Sequence, residues 1–305
     1  MTVCSKYTTN VVLEPASLTF GKEELSCVEM GTTIPTDGQS FTYSTLTSKY
    51  QVYFNVDAGG TVPTPADGET LIEVPINSTD TVDQISAKVK TAIEAITGAG
   101  YVFNPTSGEF LIEDEQIGET LKAIADVDTG WTFHVKTKGF SIDLGETDGA
   151  IEFAQENTLF EVKANQTGET LRAELLQGTT ATITCALQSL SKDRLDLLIA
   201  ECWGDKLELT NGPASADSSL IGAGTSKIGE NSLNLAGKLI VHPIRLGADK
   251  SEDLTFWKTV PTLSGWAYDG LNKKVYNAEF KALVDEFRPK EINLFAIGDS
   301  TQQLA

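Results

Sequence analysis

Histidine is the usual general base of a hydrolase, and this chain contains only two. His134 lies in WTFHV and His242 in LIVHP, two strand-like stretches. We therefore expect each imidazole to be a hydrogen-bonded or solvated strand side chain. The tripeptide Gly298-Asp299-Ser300 resembles part of a serine-hydrolase signature, but an activated serine needs a strand, a sharp turn and a following helix. The sequence predicts a turn there, no catalytic residue and no enzymatic activity.

The thiols and carboxylates form no metal-binding motif in the sequence. The cysteines Cys4, Cys27, Cys185 and Cys202 include no C-x-x-C pair, and four thiols in 305 residues make no disulfide framework. The acidic run 113–115 (EDE) is typical of a solvated surface. We expect reduced thiols, no bound metal and no cofactor.

Charge limits the partners that the chain can have. It carries 43 Asp and Glu against 23 Lys and Arg, a formal charge of −20. Such a surface repels phosphate and anionic lipid, which excludes tight backbone-driven nucleic-acid binding and docking on an acidic membrane. The sequence has no apolar run of membrane-spanning length and does not start like a signal peptide. We expect synthesis in a cytoplasm and no membrane association.

The hydrophobic pattern is mostly that of β-strands. Apolar and polar residues alternate over 51–56, 180–187 and 276–284, and this period of two predicts half-buried strands. Two segments have helical spacing instead. One covers 82–96, with Thr81 and Gln84 forming a capping box and Gly98 ending the helix. The other runs from an N-cap at residue 191 to a glycine at 204. Everything else is predicted to be strand or loop.

The arginines divide the chain unevenly. All four follow residue 139, whereas residues 41–138 contain no arginine and read as a strand–strand–helix–strand–strand unit. Residues 1–40 are too short to fold alone. The predicted fold is therefore mainly β: a β domain built from 1–40 and 139–305, with an α/β domain, 41–138, inserted into one of its loops.

Several stretches together resemble the tail tube proteins of long-tailed bacteriophages. The N-terminal stretch is VVLEPASLTFGK (11–22), which resembles an early strand followed by a Gly-Lys turn. The central ones are VKANQTG (162–168), LLQGTTATI (175–183) and the helical DRLDLLI (193–199). The C-terminal ones are GKLIVHPIRL (237–246), DLTFWK (253–258), FKALVD (280–285) and NLFAIGD (293–299). The insert, marked by VYFNVDAGGTVP (52–63), resembles a module of phage virion proteins.

This resemblance implies a β-sandwich or barrel with one flanking helix that forms hexameric rings. The rings would stack into a tube, part of a non-contractile virion tail, that contacts other tail proteins and lets phage DNA pass without sequence-specific binding. The insert would lie on the tube exterior. Stacking candidates are residues 1–12 and the Gly/Ser/Ala-rich stretch 211–231. Candidate carboxylates of the channel wall are Glu161, Glu174 and Glu279, since a carboxylate lining repels phosphate.

Other functions remain open from the sequence. The chain could be another virion component, such as a tail terminator, a tail-tip ring or a capsid decoration protein. It could also be a carbohydrate-binding β-sandwich with Trp203, Trp257 and Trp266 as a sugar platform. An enzyme would need a pair of carboxylates from distant strands, and no spacing selects one.

Overall fold

Antiparallel strands dominate the chain, as the sequence predicts. The computed structural model describes residues 11–13, 16–163, 171–188, 190–200, 205–208, 219–222, 224–269 and 273–300. Strands account for 51% of the structure and helices for 12%. The chain divides into two compact units: in the described part, unit 1 comprises residues up to 20 and from 142 to 300, and unit 2 comprises residues 21–141.

The elements follow in chain order. The elements up to and including the first helix are β1 (Val11–Leu13), β2 (Ala16–Glu29), β3 (Ser40–Ser44), β4 (Lys49–Val56), β5 (Glu69–Ile76) and α1 (Val82–Glu94). The next strands are β6 (Tyr101–Thr106), β7 (Glu109–Ile117), β8 (Ala125–Asp126), β9 (Thr132–Thr137), β10 (Phe140–Asp143), β11 (Ile151–Lys163) and β12 (Leu171–Gln188). The remainder comprises α2 (Lys192–Leu195), a π-helical turn (Asp196–Ala200), β13 (Asp205–Glu208), β14 (Ser219–Gly222), α3 (Ser232–Leu235), β15 (Gly237–Pro243), a 3-10 turn (Ile244–Leu246), β16 (Leu254–Asp269), β17 (Lys273–Leu283) and β18 (Phe295–Ile297).

Unit 1 is organised around one antiparallel sheet. Its strand order is β1-β11-β12-β17-β16-β15, continued by β2, and β18 pairs with β16. Phe153 of β11 and Phe256 of β16 lie three strands apart, about 14 Å along a flat sheet. Their ring centroids are nevertheless only 5.9 Å apart. Phe20 and Phe280 are related in the same way, at 5.8 Å. The sheet is therefore strongly curved around an aromatic core.

Unit 2 buries its core between two sheets and a helix. One sheet has the order β5-β4-β3-β8, with β4 and β5 parallel; in the other, β2 lies between β7 and β9, and β6 continues beyond β7. Phe41 is at the centre, in ring contact with Phe54, Phe110 and Trp131. The apolar stripe of α1 packs against the same core.

The main helix forms as its sequence predicts. Thr81 caps α1, and its hydroxyl and the Gln84 side chain complete the capping box in both directions. Ser191 likewise caps α2, accepting a hydrogen bond from the amide of Arg194. The predicted regular helix over 191–204 is partly wrong, because it becomes π-helical after α2, and residues 201–204 lie outside the described residues. The structure also adds α3 and the 3-10 turn, which the sequence pattern does not indicate.

The segments with alternating apolar and polar residues differ in whether their polar side chains are exposed or buried. In β12 and β17 the alternation of buried and exposed side chains follows the prediction. In β4 the polar face is buried as well, contrary to the prediction of a half-buried strand. There Gln51 donates to the Ser40 hydroxyl at 2.9 Å, and Tyr53 donates to Glu73 at 3.1 Å. These side-chain hydrogen bonds let the second face leave water.

The unit boundary differs from the predicted one. The sequence argument places residues 21–40 outside the insert, whereas the structure groups them with unit 2. The reason is that β2 does not turn at Gly21-Lys22, where the resemblance implies a turn, but continues to Glu29 and pairs with β7 and β9. Glycine is required at position 21 for this course, because the Cβ of any other residue would clash with the carbonyl oxygen of Phe140, at 2.1 Å.

The acidic run 113–115 is buried, which contradicts the predicted solvated surface. Glu113, Asp114 and Glu115 all lie in β7 and are at most 9% exposed. Asp114 accepts hydrogen bonds from the amides of Leu46, at 2.7 Å, and Gln116, at 3.1 Å. Burial outweighs these hydrogen bonds and raises the pKa of Asp114 to about 6.

This raised pKa makes the stability of unit 2 depend on pH. An aspartate in the unfolded chain has a pKa near 3.9, so the folded state holds the proton more tightly. The contribution to stability is complete below that value and is lost as pH rises through about 6. We expect Asp114→Asn to remove this loss. The free energy of unfolding of the variant, relative to that of wild type, should therefore rise by about 2–3 kcal/mol between pH 4 and pH 7. Urea titrations followed through the indole N–H resonance of Trp131 measure it.

Asp37→Asn is the matched control in the same unit. The Thr61 side chain, together with the amides of Val56 and Thr61, lowers the pKa of Asp37. This carboxylate therefore stabilises the fold above its unfolded pKa, and its replacement should change the pH dependence in the opposite direction. Parallel pH profiles for Asp114→Asn and wild type would contradict the prediction.

Candidate functional site: the acidic face and hairpin arm of unit 1

One face of the unit 1 sheet carries exposed polar side chains. Glu152, Thr184, Glu279 and Thr262 lie opposite one another in register on β11, β12, β17 and β16, and all four are exposed. The exposed Glu156 on β11 and Lys281 on β17 lie in neighbouring rows. We call these six residues the acidic face. Its three carboxylates against one ammonium give it a net negative charge.

The acidic face exists because the opposite face forms the core. Successive side chains of a strand point to opposite sides, so each residue of the acidic face except Glu156 has a buried neighbour in its strand. Phe153 follows Glu152 and is buried. Ile183, which precedes Thr184, and Phe280, which follows Glu279, are buried as well. Core packing therefore fixes which way the carboxylates point.

The hairpin formed by β11 and β12 extends beyond the rest of the sheet. β17 pairs with β12 only from Thr182 to Gln188, and β1 pairs with β11 only at residues 151–153. Residues 156–163 and 171–180, which we call the hairpin arm, pair with each other and with no other described strand. A two-stranded ribbon of this kind is marginally stable in water by itself.

The hairpin arm exposes apolar side chains on both of its faces. Leu159 lies opposite Leu176, and Phe160 lies opposite Leu175. All four are exposed, Phe160 by 55% and Leu176 by 64%. Adjacent residues of a strand point to opposite sides, so one apolar pair lies on each face of the ribbon. Apolar cross-strand pairs stabilise a sheet most when other protein atoms cover them and exclude water.

The three predicted channel carboxylates are not brought together on one face. Glu161 lies opposite Glu174 in the hairpin arm, and the side chain of Glu161 lies outside the described residues. The register passes from Thr158↔Gly178 to Leu159↔Leu176, and this bulge reverses the alternation of β12. Glu174 is exposed on the face that continues the core side, whereas Glu279 belongs to the acidic face. Sequence reasoning missed Glu152 and Glu156, although their alternation with Phe153 could have indicated them.

The predicted stacking segments lie largely beyond the described part of the chain. Residues 1–10, 211–218 and 223 are outside it. Of the remainder, Val11 and Val12 belong to β1 and pair with β11, and residues 219–222 form β14, paired with β13.

The histidines have carboxylate neighbours and no described serine partner. His134 Nε2 lies 2.9 Å from Glu29. His242 Nδ1 lies 2.6 Å from Asp253, and its Nε2 lies 2.8 Å from the carbonyl oxygen of Gly247. Both neighbours of His242 are acceptors, so only a doubly protonated imidazolium can donate to both. Gly298 lies in a bend directly after β18, and its amide donates to the carbonyl oxygen of Asp253.

The tryptophans do not form a common sugar platform in the described part of the chain. The indole of Trp257 is buried, donates to the carbonyl oxygen of Ile292 at 2.6 Å and has Arg288 over its ring at 4.3 Å. Trp266 is 61% exposed, and Trp203 lies outside the described residues. A buried indole cannot stack on a ligand, so Trp257 is excluded from this role.

Comparison with known protein families and with curated proteins gives no match for this chain. No described helix is long and apolar enough to cross a membrane.

The His242 imidazole, which is held by acceptors at both ring nitrogens, can be titrated and followed by NMR. The Asp253 carboxylate, with the Gly247 carbonyl, raises the pKa of His242 above its ordinary value near 6.5. The charged pair thus stabilises unit 1 fully below that value and less as pH rises through the folded pKa. We expect Asp253→Asn to lower the midpoint of the His242 ring titration measured by NMR, since the amide carries no charge. An unchanged midpoint, with an otherwise native amide spectrum, would show that the ion pair does not hold the proton.

Proposed function

We propose that this chain is a tail tube subunit of a tailed bacteriophage, which forms hexameric rings that stack into the channel for genome delivery. The observation that carries the proposal is the hairpin arm. It is a long ribbon with no further strand beside it in the described structure, and it exposes Leu159, Phe160, Leu175 and Leu176. These features are typical of a segment that is covered by another molecule.

A second copy of the chain is the partner that best fits the arm. From residue 154 onward, the outer edge of β11 pairs with no described strand, so its backbone groups can extend a sheet across a subunit boundary. Edge-to-edge addition of identical sheets around an axis closes a barrel and removes the exposed edges. Apolar pairs on both faces of the arm allow contacts with more than one neighbouring copy, as stacking requires.

The acidic face supplies the second part of the proposal. In a closed ring of curved sheets, one face lines the channel. A wall carrying Glu152, Glu156 and Glu279 repels the phosphate backbone and offers little for DNA to bind. DNA can then slide through without being held. We propose that this face, rather than Glu174, forms the wall.

The remaining parts of the proposal concern the assembled particle. Unit 2 has its own core and is proposed to project from the tube exterior, because a channel for DNA has no room for it. A projecting unit would obstruct a sliding sheath, which favours a non-contractile tail. The subunit would contact other tail proteins in the virion.

Assembly tests the proposal directly. We expect the concentrated wild-type protein to form hollow rings or tubes of uniform diameter in negative-stain electron microscopy. Fully burying a Phe or Leu side chain contributes about 1.5–3 kcal/mol, repeated at every subunit contact. A charge at these positions should therefore abolish assembly. We expect Phe160→Asp and Leu176→Asp to remain monomeric in light scattering, with wild-type circular dichroism.

Val62→Asp is the matched control for the arm variants. Val62 is an exposed valine in a loop of unit 2, and this variant should assemble like wild type. Arm variants that assemble normally would contradict the proposal. A wild-type chain that forms one closed ring and no stacks would favour a tail terminator, a tip ring or a decoration protein.

The acidic face has its own test. Glu279→Lys places an ammonium beside Thr184 and Thr262 and changes the charge by two per subunit. We expect assembled Glu279→Lys to bind a short DNA duplex in fluorescence anisotropy. Its log affinity should fall with log salt concentration by about 0.9 for each phosphate contacted. Wild type should not bind measurably.

Asp67→Lys provides the matched charge change at an exposed position of unit 2. If both variants bind DNA equally, net charge rather than the position of Glu279 controls the interaction, and the assignment of the channel wall is wrong.

A further inference from the structure

A thiol, an imidazole and a carboxylate converge on one face of the β2 sheet in unit 2. Cys27 and Glu29 are two residues apart on β2 and so point to the same side. His134 lies directly opposite Cys27 on β9. The Cys27 sulfur, a ring nitrogen of His134 and a carboxylate oxygen of Glu29 all lie within 4.8 Å of one another. Their donor atoms are close although 107 residues separate Cys27 from His134.

These three side chains are the ligand types that zinc prefers. Thiolate sulfur, imidazole nitrogen and carboxylate oxygen bind Zn²⁺ at about 2.0–2.3 Å, with tetrahedral geometry. Ligand atoms around such an ion are about 3.3–3.8 Å apart, as those bond lengths require. His134 Nε2 and the Glu29 carboxylate are 2.9 Å apart, so a small opening of the side chains accommodates the ion.

The thiol of the cluster now holds a proton where a metal would bind. The Cys27 thiol donates to Glu109 at 3.2 Å, and His134 Nε2 lies within hydrogen-bond distance of Glu29, at 2.9 Å. A divalent cation can replace the thiol proton, which passes to water, and bind the ring nitrogen of the neutral imidazole that carries no proton. The thiolate and the Glu29 carboxylate then balance the two positive charges of the ion.

The surroundings of the cluster leave it open to a cation from solvent. The Lys136 ammonium lies 2.6 Å from Glu109 and offsets the charge of that carboxylate beside the thiol. Cys27 is buried at the base of the cluster, whereas the side chains of His134 and Glu29 are 46% and 53% exposed. An ion can therefore reach the sulfur from solvent past His134 and Glu29.

We propose that Cys27, Glu29 and His134 form a binding site for a thiophilic divalent cation of the Zn²⁺ class. A bound ion links β2 to β9 within unit 2 and stabilises that unit by mass action. The site does not depend on the proposed tail function, because that function is argued from the hairpin arm and the acidic face of unit 1, whereas all residues of the site belong to unit 2.

Cobalt substitution tests the site on the full chain. After treatment with a chelator, we expect the protein to bind one equivalent of Co²⁺, with a sulfur-to-cobalt charge-transfer band in the near ultraviolet and strong visible bands of tetrahedral cobalt. Zn²⁺ should displace the cobalt and raise the melting temperature. Because the thiol proton is released on binding, affinity should increase with pH.

Matched variants assign the ligands. Cys27→Ser should abolish the charge-transfer band, and His134→Gln should weaken binding by at least about 100-fold, more than typical losses for supporting residues. Cys185→Ser and His242→Gln are the controls, since Cys185 is buried in unit 1 and His242 is held by Asp253. Both controls should bind like wild type.

His134→Gln alters an exposed side chain, so it reports on the site even if replacing the buried thiol disturbs folding. The proposal is overturned if wild type shows no sulfur-to-cobalt band. It is equally overturned if the band survives Cys27→Ser, because another thiol then binds the metal, or if His134→Gln binds as tightly as wild type.

Discussion

The continuous pairing of β11 with β12 is the interaction on which the rest of unit 1 depends. These strands form one side of the curved sheet that encloses Phe153, Ile183 and Phe280, and the same two strands continue outward as the hairpin arm. The bulge near Gln177 lies within the hairpin arm, and such bulges increase the local twist. The part that specifies the core and the part that remains uncovered are therefore one continuous element.

Charge and apolar contact act against each other in the proposed assembly. A chain with a formal charge of −20 repels its own copies. At physiological ionic strength this repulsion is screened beyond about 8 Å, whereas apolar burial acts at contact. Leu159, Phe160, Leu175 and Leu176 supply such contacts on both faces of the ribbon. Under the proposed function, the acidic face is kept for the channel and the arm provides adhesion.

Unit 2 shows how one strand serves two environments. Along β2, Val28 points into the aromatic core, while Cys27 and Glu29 point to the other side, where Glu109, His134 and Lys136 gather. The neighbouring β7 also buries the carboxylates 113–115, which the sequence would leave in water. Asp114 tolerates this burial through hydrogen bonds from backbone amides and a raised pKa.

The sequence by itself determined the features that arise within a few residues of each other. Alternation predicted the mainly β fold and the two-sided character of β12 and β17, and the spacing of Thr81 and Gln84 predicted the cap of α1. These predictions succeeded because the two faces of a strand and the cap of a helix depend on residues that are close together in the sequence.

Only the tertiary structure decided which strands became neighbours. It extended β2 through the expected turn at Gly21, buried the run 113–115, reversed β12 at the bulge so that Glu174 and Glu279 separated, and brought His134 to Cys27. No local pattern encodes these outcomes, because strand pairing joins residues far apart in sequence, and its register follows from how the whole core packs.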